Sequence, residues 1–238
     1  TAEVKVLRKT GEGEETVEMS FQLDREEIKI NNVPYYGMID EEVGYIHLAH
    51  FTDNAGNEVR KAFEELKENE NLKSLVLDLR GNPGGLLNEA VNVTNVFIEK
   101  GQEVVSTKGK VSEWNKTFKT NNNPVDTELP LVVIVNQGSA SASEIVSGSI
   151  QDLDRGIVVG QTTFGKGLVQ TTRSLPYNTK LKVTTAKYYI PSGRCIQSIN
   201  YGEDGDTKVP DSLRSAFFTL GGREVFDGAG IEPDIIAD

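Results

Sequence analysis

The sequence is poor in the residues that most often announce chemistry. One cysteine, Cys195, stands among 238 residues, so no internal disulfide can form and no cysteine cluster can hold a metal. Only two histidines occur, His47 and His50. His47-x-x-His50 lacks the glutamate and the helix of a zinc protease, and neither histidine has an adjoining motif that marks it as a base. No apolar run approaches the roughly 18 residues of a membrane-spanning helix, and no basic-then-apolar leader opens the chain. Positive charge is also short, with 25 Lys and Arg against 36 Asp and Glu and a net charge of −11. An acidic surface repels phosphate backbones and anionic lipid, so neither nucleic acid nor membrane insertion is expected, and solubility is the plain reading of the charge.

What remains is ordinary for a globular α/β protein, at 37% hydrophobic and 26% charged residues. A chain of this size can bury roughly 70% of its unfolded surface without staples. Residues 1–30 read as two strands, Glu3–Arg8 and Thr16–Leu23, around the turn Thr10-Gly11-Glu12-Gly13. Such a ribbon is marginal in water by itself, so further chain N-terminal to Thr1 is expected. Gly44–His50 reads as a strand and Asn54–Asn69 as a helix with Val59, Phe63 and Leu66 on one face. Ser74–Leu79, Leu131–Val135 and Gly156–Val159 are short apolar runs of the kind that form strands buried on both faces. Leu86–Ile98 and Ser139–Leu153 read as the helices between them, and Gly109–Glu128 as a surface loop. Two more strands, Leu168–Arg173 and Lys180–Tyr189, flank Pro176-Tyr177-Asn178. A short helix near Asp211–Phe218 and an apolar stretch, Ile231–Ile236, close the chain.

Strand–helix–strand order from Ser74 to Val159 indicates βαβ units, whose chemistry gathers in loops beyond the strand carboxyl ends. Three such loops stand out. Asp78-Leu79-Arg80-Gly81-Asn82-Pro83-Gly84-Gly85 exposes backbone N–H groups able to hold an oxyanion, or is a tight turn that Asp78 and Arg80 brace. Asn136–Glu144 contains three serines, Ser139, Ser141 and Ser143, at a helix start, which suits either a nucleophile or plain N-capping. Gly160–Gly167 offers Gly165-Lys166. It fails as a phosphate loop, because Gly167 replaces the Ser or Thr that would hold magnesium and a strand follows where a helix is needed. Neither G-x-S-x-G nor S-x-x-K is present. Taken together the loops supply a nucleophile, an oxyanion hole and a base, provided burial and apolar neighbours such as Phe164 lower the lysine pKa.

With Ser139-Ala140-Ser141-Ala142-Ser143-Glu144 and Thr163-Phe164-Gly165-Lys166-Gly167 in place, the sequence resembles the carboxy-terminal processing proteases, also called tail-specific proteases. The resemblance runs from about Val43 onward and includes Asp78–Gly85 and the closing Asp227-Gly228-Ala229-Gly230-Ile231-Glu232-Pro233-Asp234. It implies a serine endopeptidase with a crotonase- and Clp-protease-like α/β spiral core and a β-rich cap, divided into residues 1–42 (the end of a PDZ domain and a connecting segment) and a core at 43–238. The family's interval from nucleophile to lysine, 25 positions, selects Ser141 for Lys166. The family's supporting glutamine falls on Gln170. An oxyanion hole from Gly85 and Ala142 is implied, with Gly84 the other candidate glycine. Substrate is expected along Gly84, Leu168 and Val169. The resemblance further implies protein substrates with apolar or unfolded C-terminal tails, no cofactor, a possible homo-oligomer, and the periplasm or cell envelope. A non-catalytic tail-binding module and a crotonase-like acyl-thioester enzyme are the competing readings.

Overall fold

A computed structural model describes residues 1–9, 16–26, 28, 31–202 and 205–237. It forms two compact units, Thr1–Ile30 and Asn31–Asp238. The first is an antiparallel hairpin of β1 (Ala2–Lys9) and β2 (Thr16–Leu23), in register from Ala2↔Leu23 to Lys9↔Thr16. The turn expected at Thr10–Gly13 lies outside the described residues. The unit boundary falls at residue 30 rather than 42, because β3 (Tyr35–Met38) pairs with β4 (Val43–His47) inside the second unit.

The second unit is built on a six-stranded sheet. Its continuation comprises α1 (Ala55–Lys67), β5 (Ser74–Asp78), α2 (Leu87–Phe97), β6 (Glu103–Gly109), β7 (Lys116–Lys119), β8 (Leu131–Val135), α3 (Ala142–Asp152) and β9 (Ile157–Gly160). The chain then runs through β10 (Leu168–Ser174), β11 (Lys180–Tyr189), β12 (Ile199–Gly202), β13 (Gly205–Lys208), β14 (Ala216–Phe218), β15 (Glu224–Phe226) and β16 (Ile235–Ile236). The main sheet has the order β16-β9-β8-β5-β4-β3, parallel throughout except for the β3–β4 pair. The architecture is α/β.

The helices follow the sequence pattern. Val59, Phe63 and Leu66 of α1 are buried with Ala55 and Ala62, and Phe63 packs on Phe97 of α2 with ring centroids 5.6 Å apart. Burying each such ring stabilises the fold by about 2–3 kcal/mol. Helix α3 is buried along its whole length, so its polar residues are satisfied internally. Ser147 Oγ donates to Ser143 O at 2.9 Å and Ser149 Oγ to Val104 O at 3.1 Å. At its last turn, Arg194 donates to Asp152 Oδ1 at 2.8 Å and to Gln151 Oε1 at 2.7 Å in full burial.

A second, antiparallel sheet has the order β10-β11-β6-β7. The stretch read as loop, Gly109–Glu128, therefore contains a strand at Lys116–Lys119 and a single 3-10 turn at Ser112–Trp114. Their short polar sequences carry no strand signal, and pairing to β6 decides them. The helix expected near Asp211–Phe218 is one 3-10 turn, Asp211–Leu213, followed by β14, which pairs with β15. Among the described residues no helix is long and apolar enough to cross a membrane.

Candidate active site

Parallel pairing places the carboxyl ends of β5, β8 and β9 along one rim, with Asp78 opposite Ile134 and Val135 opposite Gly160. The three loops leave that rim together and are tied to one another. Gly81 N–H donates to Asn136 Oδ1 at 2.9 Å, Ala140 N–H to Asn82 O at 3.0 Å, and Phe164 N–H to Ser139 O at 3.0 Å. Asp78 and Arg80 brace the first corner, as expected. Burial opposes ionisation of Asp78, but hydrogen bonds from Arg80 and from Tyr45 outweigh it and hold the carboxyl below its ordinary range. The Tyr45 hydroxyl is pushed up to about 12 by burial and by that carboxylate.

The three serines of the second loop have different fates. Ser139 is buried and donates to Leu79 O at 2.8 Å. Ser143 is buried and donates to Asn82 O at 2.9 Å. Ser141 is partly exposed and caps α3 with φ 58° and ψ −111°. An ordinary N-cap residue is extended, and a non-glycine residue at positive φ is costly enough to mark a functional position. This sharp turn into a helix gives the Ser141 side chain a position its neighbours do not share.

Gly84 and Gly85 stand against this turn. A Cβ on Gly84 (φ 93°) would lie 2.6 Å from Ala140 O and 2.8 Å from both Ala142 N and Ser141 Cβ. Gly85 bridges to Phe51, whose N–H and C=O bond to residues 84 and 86. The N–H of Gly85 therefore points away from Phe51. Neither it nor the Ala142 N–H is donated to another group among the described residues. Two free N–H groups beside a strained serine are what an oxyanion requires.

Glu144, one turn into α3, gathers the site. Its fully buried carboxylate accepts from Ser141 N (2.8 Å), Lys166 N (2.9 Å), Gly165 N (2.7 Å) and Thr163 Oγ1 (2.6 Å). Burial raises its pKa against the pull of these four donors. Tyr188 is also buried, and its hydroxyl donates to Lys166 O and lies 3.3 Å from Ser141 O. The contacts joining Ser141 to Lys166 thus all run through backbone groups. Sequence reasoning missed both linkers. The Ser-x-x-Glu spacing of Ser141 and Glu144 is the signal that could have found the first, and nothing in the sequence places Tyr188 here.

Three expectations need correction or qualification. Lys166 is only partly buried, and Phe164, whose backbone N–H is tied to Ser139 O, is 56% exposed rather than packed into an apolar surround. Gln170 is exposed at a register shift of β10 and makes no hydrogen bond to Lys166. Leu168 and Val169 are partly buried on β10, the edge strand beside the site.

The family model for Peptidase family S41 matches residues 42–209. The chain belongs to peptidase family S41. It is 38% identical over 212 residues to a carboxy-terminal-processing protease of Bartonella bacilliformis, covering 87% of this chain and 48% of that protein. It is 34% identical over 197 residues to the chloroplastic C-terminal processing peptidase of Tetradesmus obliquus, covering 78% of this chain and 42% of the relative. The chain thus spans about half the length of the S41 relatives it matches. Among solved structures, the photosystem II D1 C-terminal processing protease superposes with a TM-score of 0.65 at 29% identity, covering 93% of this chain and 52% of that one.

Proposed function

We propose that this chain is the catalytic core of a serine endopeptidase that uses Ser141 as nucleophile and Lys166 as general base. The observation that carries the reading is the Ser141 turn, at positive φ and packed against Gly84, with the N–H groups of Ala142 and Gly85 undonated among the described residues. Neutral Lys166 takes the Ser141 proton as Oγ attacks the scissile carbonyl. The N–H groups of Ala142 and Gly85 hold the resulting oxyanion, Lys166 protonates the leaving amine, and water then hydrolyses the acyl-enzyme. Glu144 and Tyr188 fix the two backbones, so the remaining adjustment is rotation of side chains. Catalytic hydrogen bonds that are long without substrate commonly tighten when it binds. Gln170, on β10 four residues after Lys166, orients the amine once its side chain turns inward.

Substrate enters as an added strand on the free edge of β10, past Gly84, Leu168 and Val169. Following the family resemblance of the sequence, the proposed substrates are proteins carrying apolar or unfolded C-terminal tails, and the proposed setting is the periplasm or cell envelope. Thr1–Arg8, which takes in most of β1, is read as a PDZ strand, on the family resemblance alone. The deciding test is degradation of a loosely folded protein with an apolar tail by this chain, by Ser141→Ala and by Lys166→Ala. Cleavage by the parent alone supports the reading, and full activity of Lys166→Ala overturns it.

A further inference from the structure

The chain as a whole is strongly acidic, yet its second sheet is basic. The β6–β7 hairpin, Glu103–Lys119, and the segment Leu168–Tyr189 that contains β10 and β11 hold eight Lys and Arg against two Asp and Glu. None of the eight takes part in an ion pair among the described residues, whereas Arg60, Lys61, Lys67, Lys73, Arg80, Arg194, Arg214 and Arg223 all do. Like charges crowded on one sheet oppose folding; among the described residues no ion pair offsets them, and Lys108 alone rests over an aromatic ring, that of Tyr189 at 4.7 Å.

These cations flank apolar grooves on either side of Trp114, whose ring is 57% exposed. One groove has Leu87, Phe118 and Val169 along it, with Lys116 and Arg173 and a single carboxylate, Glu113. The other has Val111, Leu168 and Val183, with Lys108, Lys110 and Lys187. Val169 and Leu168 are neighbours on β10 that face opposite sides of the sheet, as strand geometry requires. Two residues of the first groove are close in sequence to the proposed reacting groups: Leu87 follows Gly85 by two residues and Val169 follows Lys166 by three.

Resting on the protease reading above, we infer that this sheet selects acidic substrate segments. A peptide paired to the edge of β10 places one apolar side chain against Leu87, Phe118 and Val169 and sets flanking Asp or Glu residues against Arg173, Lys116 and the lysines beyond Trp114. Charge complementarity argues for this occupant, because the rest of the acidic surface repels such a peptide and the sheet attracts it. An anionic membrane would match the charge, but it has no use for an unpaired strand edge flanked by side-chain-sized grooves.

The test uses a peptide series with one apolar anchor, flanked by Asp and Glu, by their Asn and Gln isosteres, or by Lys. Cleavage rates are read at low and high salt for the parent, Arg173→Gln and Lys116→Gln. Binding of the same labelled peptides to Ser141→Ala is read by anisotropy, so docking is measured even if no peptide is cut. Failure of cleavage with selective binding would count against the catalytic reading and leave this inference standing. The acidic peptide is expected to be preferred about two- to five-fold per flanking charge, a preference that salt and either substitution reduce. Equal handling of the three peptides overturns the inference. So does a preference unchanged by salt and by both substitutions, or binding to phosphatidylserine vesicles without discrimination among peptides.

Discussion

Ser141 and Lys166 donate their backbone N–H groups to the same oxygen, Glu144 Oε2, at 2.8 and 2.9 Å. One buried carboxylate thereby fixes the distance between two loops that are 25 residues apart. Replacing it with an amide of equal size keeps the volume but turns one acceptor oxygen into a donor facing N–H groups. Glu144→Gln is expected to lower kcat by about 10–100-fold and to cost about 1–3 kcal/mol of stability. Steady-state kinetics beside urea unfolding checks both, and wild-type kcat would refute the role.

The serine string offers a sharper separation. Ser141→Ala removes the proposed nucleophile and is expected to abolish turnover without loss of stability. Ser139→Ala and Ser143→Ala each remove a buried hydrogen bond to a carbonyl that keeps one backbone donor, Asn82 N–H on Leu79 O and Ala140 N–H on Asn82 O, and are expected to cost about 0.5–1.5 kcal/mol while retaining cleavage. Parallel melting and activity measurements distinguish the three. A stable, inactive Ser139→Ala would reverse the assignment.

Tyr188→Phe deletes only the hydroxyl that joins Lys166 O and Ser141 O. Because the ring stays in the core, KM is expected to hold while kcat falls by about ten-fold or more. A change confined to KM would contradict this.

Gly84→Ala places a methyl group against the Ser141–Ala142 peptide at a φ that a side chain disfavours. The corner must then shift by tenths of an ångström, enough to misalign oxyanion donors. Loss of activity by about 100-fold or more is expected, with global unfolding only modestly changed, as read by circular dichroism.

Acid stability follows from three carboxylates. Asp126 is held at about 2, where burial is outweighed by Lys67 and by the N–H groups of Leu129 and Glu128. Asp78 and Asp154 are lowered as well. A depressed carboxylate contributes stability that is fully present above its unfolded pKa, about 3.9, and is lost as pH falls through its folded value. Urea midpoints are expected to drop between about pH 4 and about pH 2, and Asp126→Asn to flatten part of that drop. A flat midpoint over this window in the parent would refute it.

Sequence patterning determined the frame. Continuous apolar runs at Ser74–Leu79 and Leu131–Val135 became buried parallel strands, and the spacing of Val59, Phe63 and Leu66 became the inner face of α1. Those patterns are local, so the sequence alone displays them. It displayed the three loops too, and family resemblance picked Ser141 from its neighbours. Only the tertiary structure decided why that serine differs, since Ser139 and Ser143 find buried carbonyls in a loop some 60 residues away. It alone brought Glu144 and Tyr188 to the backbones of Ser141 and Lys166, and it alone paired β6 with β11 to concentrate the positive charge. Short polar strands have no signature of their own. Their existence depends on partners remote in sequence, and side-chain roles depend on which carbonyls and N–H groups those partners leave free.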